Sequence, residues 1–483
     1  MTAEEDIVTL DGTVRAIAGE VVATITTDEN GVAKTGELYL GRYSVKEITA
    51  PEGMVLSTDV HEVELVYAGQ EVEITEASAS VVNQRQKAEL DLKKSVEIDD
   101  VFDIGNHGEI TSVNFGLFAA EKLTAADGKA IPKDGLLEIV SCDENGKAVF
   151  STDIPVGAKL YVKEVSADSH YVVSDEKYPV EFAYAGQETA SVKLSVNEGK
   201  TIGNKLLRGK VEGKKVDEDG YAVEGAVFGL FKAEETEFNQ DNAILVTVSD
   251  ETGAFVFKDI PYGEWIVREI EPADGYVLNE TVFPATIEAN EQTIEIEVVN
   301  RFIKGTVTTT KVDEEYPDHK LTGAVFVIYR DTDGNGEFVS DSDLAVGEMK
   351  ETETGVYVLN DLKYGGYFLH EKTAPSGFVK DEGYYYFKIT DDGETVTVEN
   401  KAGIGFANKP AKGELEITKR DVADGTLLPN AGFRIKDADG NIVVEGRTDE
   451  NGIAKFTLRV GKYTYEEFDA PEGYLIDTTP HEF

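Results

Sequence analysis

One segment of the chain recurs five times at the spacing of a small domain, and each copy ends in glutamate. The copies are Gly41–Glu47, Ala158–Glu164, Glu264–Glu269, Gly366–Glu371 and Gly461–Glu467. A Pro/Gly turn usually follows, with the residues Ala-Pro-x-Gly at 50–53, 374–377 and 470–473. Self-similarity at a regular period indicates an array of like units rather than one large domain.

Short segments of alternating apolar and polar residues lie between these repeats. The stretch 293–298, TIEIEV, is typical of them. This period of two predicts half-buried strands with a polar outer face, and Gly, Asn, Asp and Pro clusters separate them at intervals of about 8–12 residues. No long helical periodicity is present. The sequence therefore predicts an all-β class, with tandem antiparallel β-sandwiches of the immunoglobulin-like kind arranged as an elongated rod.

The repeat divides the chain into five predicted units. Each full unit begins with an opening strand, continues into a second strand, later reaches the strand that ends in glutamate, and finishes with a closing strand that ends in asparagine. Unit 1 lacks its first strands and unit 5 lacks its last strand. The predicted bounds are 1–86 for unit 1, 87–204 for unit 2, 205–302 for unit 3, 303–409 for unit 4 and 410–483 for unit 5.

Composition excludes several classes of function. The 93 Asp and Glu residues outnumber the 46 Lys and Arg residues, giving a formal charge of −47 that repels nucleic acids and anionic membranes. Cys142 is the only cysteine, so neither a disulfide framework nor a cysteine-rich zinc site can form. No apolar run reaches the length of a membrane span, and the first residues are acidic. We expect no cofactor and no membrane insertion, with any leader or anchor outside this fragment.

Three polar residues of each complete unit lie on the core side of their strands. Trp265, Val267 and Glu269 share one face by parity, so the glutamate points where the aromatic side chain points. The same count places a lysine of the opening strand and an asparagine of the closing strand inward. The predicted triads are Lys94, Glu164 and Asn204; Lys215, Glu269 and Asn300; and Lys311, Glu371 and Asn408.

A chemical reaction would explain why every unit repeats this costly burial. Burial lowers the pKa of a lysine and raises that of a glutamate, so both can be neutral at pH 7. A neutral amine is a nucleophile, and a protonated glutamate can donate to the carboxamide oxygen and pass a proton to the leaving ammonia. The product is a Lys–Asn isopeptide bond, promoted by Glu164, Glu269 and Glu371. The alternative is that each lysine extends to solvent and pairs with its glutamate.

The two terminal units hold only part of this set. Glu47 and Asn83 of unit 1 have no lysine partner, and Lys419 and Glu467 of unit 5 have no asparagine partner. We expect these four residues to be unpaired in this fragment. Pairing of unit 5 with a strand of another chain is an alternative to simple truncation.

The chain resembles the tandem Cna protein B-type domains (SpaA-like, prealbumin-like) of Gram-positive cell-surface proteins and pilins. The resemblance rests on the sequence Lys-Val-Asp at 215–217 and 311–313, the strands ending in Glu47 and Glu269, the Ala-Pro-Glu-Gly turn, and the closing Asn300 and Asn408. It covers nearly the whole chain. It implies a seven-stranded two-sheet sandwich, autocatalytic isopeptide bonds, and a role as a spacer or adhesive shaft.

We therefore expect a non-enzymatic structural stalk of a bacterial surface adhesin or pilus-like protein, extracellular, attached to the cell wall or surface-displayed, and a monomeric rod. Host matrix protein or glycan would bind through regions outside this fragment. The alternative is a ligand-binding adhesin in which one unit itself binds such a ligand, through exposed aromatic residues of the insert 97–112 or around residues 384–386.

One further motif resembles the start of an EF-hand calcium loop. Asp331, Asp333 and Asn335 have the spacing of its first three ligands. The twelfth position, usually a bidentate acid, is Ser342, and the flanking Tyr329 and Phe338 indicate strands rather than helices. A carboxylate-rich hairpin turn is the alternative to a calcium site.

Overall fold

The computed structural model describes residues 1–125 and 127–483, and it consists almost entirely of β-strands. The described helices are two short 3₁₀ turns in unit 2, Glu109–Ser112 and Val196–Gly199. The predicted all-β class of tandem antiparallel sandwiches is confirmed. Among the described residues no helix is long and apolar enough to cross a membrane.

Unit 3, every residue of which is described, shows the plan of a complete unit. It has seven strands: Arg208–Asp217, Val227–Lys232, Leu245–Val248, Ala254–Pro261, Gly263–Glu271, Phe283–Ile287 and Thr293–Asn300. The first, fourth and seventh strands form a three-stranded sheet, and the other four form the second sheet. Apolar side chains of alternate positions, among them Val211, Phe228 and Val267, fill the space between the sheets.

The opening and closing strands of unit 3 lie side by side and run parallel. The opening strand pairs with the closing strand from Lys210 opposite Thr293 to Asp217 opposite Asn300, and Ala254–Pro261 flanks the opening strand antiparallel on its other side. Parallel neighbours cannot be joined by a tight hairpin, so nearly the whole unit separates them in sequence. This pairing brings the end of the first strand next to the end of the last.

Units 2 and 4 repeat this arrangement with additional short strands. The unit 2 strands are Lys87–Val96, Asn114–Ala119, Leu123–Thr124, Ala130–Ile131, Leu136–Ser141, Lys147–Phe150, Lys159–Ser166, Lys177–Glu181, Ser191–Ser195 and Ile202–Asn204. The unit 4 strands are Lys304–Asp313, Val325–Arg330, Leu344–Glu348, Lys350–Glu353, Val356–Lys363, Gly365–Thr373, Tyr384–Ile389, Thr395–Thr397 and Phe406–Asn408. In both units the closing strand is again parallel to the opening strand.

The terminal units contain part of the same plan. Unit 1 has the strands Thr2–Ala3, Ile7–Val8, Val14–Ala16, Gly41–Lys46, Met54–Val55, Val60–Leu65 and Gln84–Arg85. Unit 5 has Lys412–Thr418, Gly432–Lys436, Ile442–Arg447, Ile453–Arg459, Thr464–Asp469 and His481–Glu482. In unit 1 the short strand Thr2–Ala3 pairs with Gly41–Lys46, the position that the second strand has in the complete units.

Backbone hydrogen bonds connect consecutive units at each joint. A linker N–H donates to a carbonyl in the turn after the glutamate strand of the preceding unit; the pairs are Gln86 to Gly53 (3.0 Å), Leu207 to His170 (2.7 Å), Ile303 to Gly275 (2.9 Å) and Ala411 to Gly377 (2.9 Å). At the last three joints the same linker residue accepts an N–H from the following unit, namely from Tyr262, Tyr364 and Val460. The linker is therefore paired on both sides.

Opposite charges also meet at the joints. The acidic residues after the lysine of one unit contact basic residues of the next: Lys304 lies 2.6 Å from Glu218, and Arg459 lies 2.5 Å from both Asp313 and Glu315. Arg208 makes the corresponding contact with Asp99, at 2.8 Å. The Asp313 side chain is completely buried, so the Arg459 contact neutralises a buried charge rather than an exposed one.

The insert 97–112 packs against unit 3 instead of presenting its aromatic residue to solvent. Phe102 is 7% exposed and meets Trp265 edge to face, with ring centroids 5.0 Å apart. Phe102 and Ile104 join the core cluster of unit 3. The expectation of an exposed aromatic ligand site in this insert is wrong, because the next unit covers the ring. Tyr384 and Tyr386 do remain exposed, at 38% and 40%.

Candidate functional site

Each complete unit brings its predicted lysine, glutamate and asparagine together between the sheets. The register is the same in all three units: the lysine lies directly opposite the residue two positions before the asparagine. The cross-strand pairs are Lys94 with Ile202, Lys215 with Val298, and Lys311 with Phe406. Since residues two apart on a strand share a face, the asparagine and lysine side chains point into the same space.

Burial excludes the alternative in which each lysine extends to solvent. Lys215 and Lys311 are 0% exposed. Lys94 is 4% exposed as a whole residue, and its side chain is 0% exposed. The glutamates and asparagines of the three sets are buried as well. Aromatic rings lie beside two of the amines: Lys94 Nζ is 5.7 Å from the centroid of Phe115, and Lys311 Nζ is 4.7 Å from that of Phe406.

Unit 4 has the most complete set of contacts. Lys311 Nζ lies 3.1 Å from Glu371 Oε1 and donates to Asn408 Oδ1 and, over 3.1 Å, to the Phe406 carbonyl. Asn408 Nδ2 donates to both oxygens of Glu371, at 3.0 and 2.9 Å. The amine therefore faces the carboxamide oxygen, and the acid faces the carboxamide nitrogen.

Unit 2 has the same arrangement, although Ser95 follows its lysine and no Pro/Gly turn follows its glutamate. Lys94 Nζ donates to Asn204 Oδ1 over 2.5 Å and lies 3.4 Å from Glu164 Oε2. Asn204 Nδ2 donates to Glu164 Oε1. The three side chains of unit 2 are therefore in contact even though its sequence departs from the pattern of the other units.

Unit 3 differs in the position of its amine. Asn300 Nδ2 donates to Glu269 Oε1 and Oε2, at 2.8 and 2.9 Å, as in unit 4. Lys215 Nζ instead donates to the carbonyls of Val216 and Val298. Among the described residues Asn300 Oδ1 has no hydrogen-bond donor, although it is buried.

Burial shifts the pKa values of these groups toward their neutral forms. Loss of solvent lowers the pKa of Lys215 and of Lys311 to about 8. The negative charges of Glu269 and Glu371 raise the pKa of Lys215 and of Lys311 respectively, and so offset part of this effect. The pKa of Lys94 is lowered for the same reason. Burial raises the pKa of Glu269, and hydrogen bonds from Asn279 and Asn300 offset part of that rise. A fraction of the Lys215 and Lys311 amines is therefore unprotonated and nucleophilic at neutral pH.

One predicted contact is wrong in its detail. The sequence argument has the glutamate donating to the carboxamide oxygen, whereas in all three units the glutamate accepts from the carboxamide nitrogen. In units 2 and 4 the lysine amine donates to the carboxamide oxygen, so the carboxamide nitrogen is the atom that contacts the acid. The acid is therefore next to the atom that would leave as ammonia.

A β-bulge follows the glutamate in units 2 to 5, and sequence reasoning missed it. In each case the glutamate pairs directly with a phenylalanine of the second strand, and the register shifts immediately afterwards; the pairs are Glu164 with Phe115, Glu269 with Phe228, Glu371 with Phe326, and Glu467 with Phe433. A bulge re-aims the neighbouring side chain. The signal available in the sequence was the recurring phenylalanine of the second strand.

The four residues predicted to be unpaired in the terminal units contact one another within their own unit. Asn83 Nδ2 donates to Glu47 Oε2 over 2.6 Å, and Lys419 Nζ donates to Glu467 Oε2 over 2.9 Å. Lys419 keeps a 21% exposed side chain, in contrast to the enclosed lysines of the complete units. Each terminal unit thus has two of the three groups in place.

The acidic loop of unit 4 gathers a different set from the one its spacing predicts. Ligand atoms of Asp331, Asp333 and Asp343 lie within 4.8 Å of one another, whereas Asn335 donates its side-chain amide to Asp333. Both oxygens of Asp331 and of Asp343 accept backbone N–H groups of the loop. These hydrogen bonds satisfy the buried carboxylates of Asp331 and Asp343 within a turn.

The family model of the SpaA prealbumin-like fold domain matches four segments of the chain, residues 3–78, 209–301, 305–402 and 413–483. Together they cover more than half of it, and the chain belongs to this family. Unit 2 lies outside the matched segments, yet it has the same parallel strand pair and the same buried set of lysine, glutamate and asparagine.

Comparison with individual proteins gives more distant likenesses. Colossin-A of Dictyostelium discoideum is 23% identical over 494 residues, which cover 91% of this chain and only 4% of Colossin-A. The TIE protein of Bacillus anthracis is 27% identical, with 77% of this chain and 66% of that chain covered and a TM-score of 0.49. The major pilin subunit BcpA of Bacillus cereus is 19% identical, with 57% and 94% covered and a TM-score of 0.29.

Proposed function

We propose that the chain is a structural stalk of a bacterial cell-surface adhesin or pilus-like protein whose units are locked by autocatalytic isopeptide bonds. The observation that supports this most is the burial of a lysine, a glutamate and an asparagine at one register position in three units, with the amine in contact with the carboxamide oxygen in units 2 and 4. A structural role alone does not account for a buried lysine in each unit, because an apolar side chain would avoid the desolvation cost.

The reaction needs no group beyond these three side chains. The neutral Lys311 amine attacks Cγ of Asn408 and forms the new C–N bond. The carboxyl group of Glu371 passes its proton to Nδ2, the Cγ–Nδ2 bond breaks, and ammonia leaves. The proton that the amine gives up passes to Glu371 and replaces the one it has donated. Amine and carboxamide are thereby converted into an amide and ammonia, with no oxidant, metal or nucleotide. The glutamate is thereby regenerated, and the lysine nitrogen becomes an amide nitrogen that does not titrate.

The protein supplies orientation and a dry environment. The parallel register holds amine and carboxamide in reach of one another, which replaces a bimolecular encounter by a contact within one molecule. The loss of solvent around Lys311 keeps its amine partly neutral, and the buried carboxyl faces the leaving nitrogen. Each unit therefore modifies itself once and does not turn over a substrate.

The bond would join the first strand of a unit to its last strand. Asn300 and Asn408 are followed almost directly by the linker to the next unit, and the chain re-enters that unit through its opening strand. Tension that enters at the opening strand then passes through the bond to the next linker, without unfolding the sandwich between them. Such an array suits an extracellular, surface-displayed spacer that holds another domain away from the cell.

Peptide mapping tests the proposal. A protease digest of the full chain should contain a branched peptide that joins the segment around Lys311 to the segment around Asn408, and its equivalents for units 2 and 3. Linear peptides from both segments at full yield, with no branched species, would overturn the proposal. The chain carrying Lys311→Met serves as the control, since it should lose only the branched peptide of unit 4.

A further inference from the structure

A tight turn recurs about ten residues after the glutamate of every unit. Its first residue is asparagine, aspartate or serine, and the side-chain oxygen accepts the backbone N–H of the residue two positions later. The five first residues are Ser57, Ser174, Asn279, Asp381 and Asp477. Neither the family match nor the sequence pattern singles out this turn.

In four of the units the same residue also binds the acid. Its backbone N–H donates to one carboxyl oxygen; the pairs are Ser57 to Glu47 (2.7 Å), Asn279 to Glu269 (2.6 Å), Asp381 to Glu371 (2.8 Å) and Asp477 to Glu467 (2.9 Å). A hydrogen bond to a carboxylate is among the stronger ones in proteins, so it fixes the orientation of the carboxyl group. Among the described residues of unit 2, Ser174 makes the turn without this bond.

The turn reaches the closing strand as well. In unit 3 the Asn279 side chain donates to the carbonyl of Val299, over 2.9 Å, and Val299 directly precedes Asn300. In unit 4 Asn400 bridges Asp381 and the Ala407 carbonyl, at 2.9 Å each, and accepts the Ala407 N–H. Ala407 directly precedes Asn408. One turn thus contacts both the acid and the backbone beside the reacting asparagine.

We propose that Asn279, and in unit 4 Asp381 together with Asn400, are positioning residues for isopeptide formation. This inference rests on the proposed function. The turn N–H occupies Oε2 of the acid, so the transferred proton must be carried on Oε1. In unit 4 both carboxyl oxygens lie close to Asn408 Nδ2, at 3.0 and 2.9 Å, but it is Oε1 that also lies 3.1 Å from the lysine amine. The turn therefore selects the oxygen that connects the proton donor to the leaving group, while the side chain holds the carboxamide beside it.

The rate of cross-linking in the full chain tests the proposal. The chain is made by cell-free synthesis with a short labelling pulse, and the branched peptides of units 3 and 4 are quantified over time. Asn279→Ala should slow the unit 3 bond by about tenfold, because it removes the tether and loosens the turn. Unit 4 is the internal reference and should keep its rate. Glu280→Ala, at an exposed neighbouring residue, should change neither rate.

A further variant separates positioning from general loosening. Asn279→Ser, which keeps a turn-forming oxygen as at Ser57, should recover part of the rate. Alanine and serine both keep the backbone N–H that donates to Glu269, so the pH profile of the rate should be the same in the two variants. An unchanged rate in Asn279→Ala overturns the inference, as does a slowed rate without recovery by serine. Absence of branched peptides from the wild-type chain instead overturns the proposed function itself.

Discussion

Lys215 and Asn300 lie on neighbouring parallel strands, yet the lysine amine donates to the Val298 carbonyl, over 3.3 Å, and not to the asparagine oxygen. In units 2 and 4 the amine does donate to that oxygen. Within the described chain Asn300 Oδ1 is a buried acceptor without a donor, a state that costs about 1–3 kcal/mol. Unit 3 therefore differs from units 2 and 4 in the acceptors of its lysine amine, which are the backbone carbonyls of Val216 and Val298.

Replacing the acid should block the bond in its own unit alone. Glu371→Gln keeps the size and hydrogen-bonding capacity of the side chain but cannot pass a proton to the leaving nitrogen. We expect units 2 and 3 to form their bonds and release one ammonia each, whereas unit 4 forms no bond and releases none. Intact mass and peptide mapping measure this difference. Glu348→Gln, at an exposed position of the same unit, is the matched control and should leave all bonds intact. Full cross-linking of unit 4 in Glu371→Gln would contradict the assigned role.

Removing the electrophile should destabilise the unit it belongs to. Lys311 and Asn408 are 97 residues apart. A bond that closes such a loop lowers the conformational entropy of the unfolded chain, which raises the free energy of unfolding by about 5 kcal/mol at 25 °C. We expect Asn408→Ala to shift the calorimetric unfolding transition of unit 4 to lower temperature. Asn360→Ala, at an exposed residue of the same unit, should shift it little. Equal transitions for both variants would show that no loop is closed.

An unlinked unit should become more stable as the pH rises. In Asn300→Ala the Lys215 amine stays free, with a folded-state pKa of about 8 against 10.5 in the unfolded chain. Below pH 8 the amine is protonated in both states and burial opposes folding in full. Between pH 8 and 10.5 the unfolded state binds more protons, so the stability of unit 3 rises with pH, by about 3 kcal/mol in total.

Calorimetry of unit 3 between pH 7.5 and 10 measures this dependence. The wild-type chain should lack the rise, since an amide nitrogen does not titrate, and so should the double variant Asn300→Ala, Lys215→Met. A rise of equal size in all three proteins would assign it to other groups.

The joint between units 4 and 5 should depend on Arg459 more than the preceding joint depends on Lys304. Arg459→Ala leaves the buried Asp313 carboxylate without its partner, whereas Lys304 contacts the partly exposed Glu218. We expect paired spin labels on units 4 and 5 to give a broadened distance distribution in Arg459→Ala. The native Cys142 does not compete for the label, because burial raises the pKa of its thiol to about 11.

A charge exchange provides the control for the joints. Lys304→Glu should broaden the distances between units 3 and 4, and the added change Glu218→Lys should restore them. Unchanged distributions in every variant would mean that the backbone hydrogen bonds of the linkers alone hold the units together.

The residues of the site were predictable because strand parity is a local property. Counting alternate positions from Trp265 places Glu269 inward, and the same count places Lys215 and Asn300 inward, as the structure confirms by their burial. The fold class followed from the same alternation. These inferences need only the period of a strand and the polarity of each residue.

The remaining features depend on register and on neighbours in space. The parallel pairing of Lys311 with Phe406 joins residues far apart in sequence, and no local pattern fixes which residue lies opposite which. The contact of Asn279 with Glu269 uses a backbone N–H, which every residue except proline possesses. The insert 97–112 was considered as a place for exposed aromatic residues, whereas its Phe102 packs against Trp265 of the next unit, a contact that no local pattern reveals.

The most direct test of self-cross-linking is the intact mass of the purified full chain, measured beside the double variant Lys215→Ala, Lys311→Ala. We predict that the wild-type mass is short of the sequence mass by one ammonia for each of units 2, 3 and 4, and that the variant is short by one ammonia only, from unit 2. A wild-type mass equal to the sequence mass would contradict the account and leave the buried lysine, glutamate and asparagine as hydrogen-bonded polar clusters.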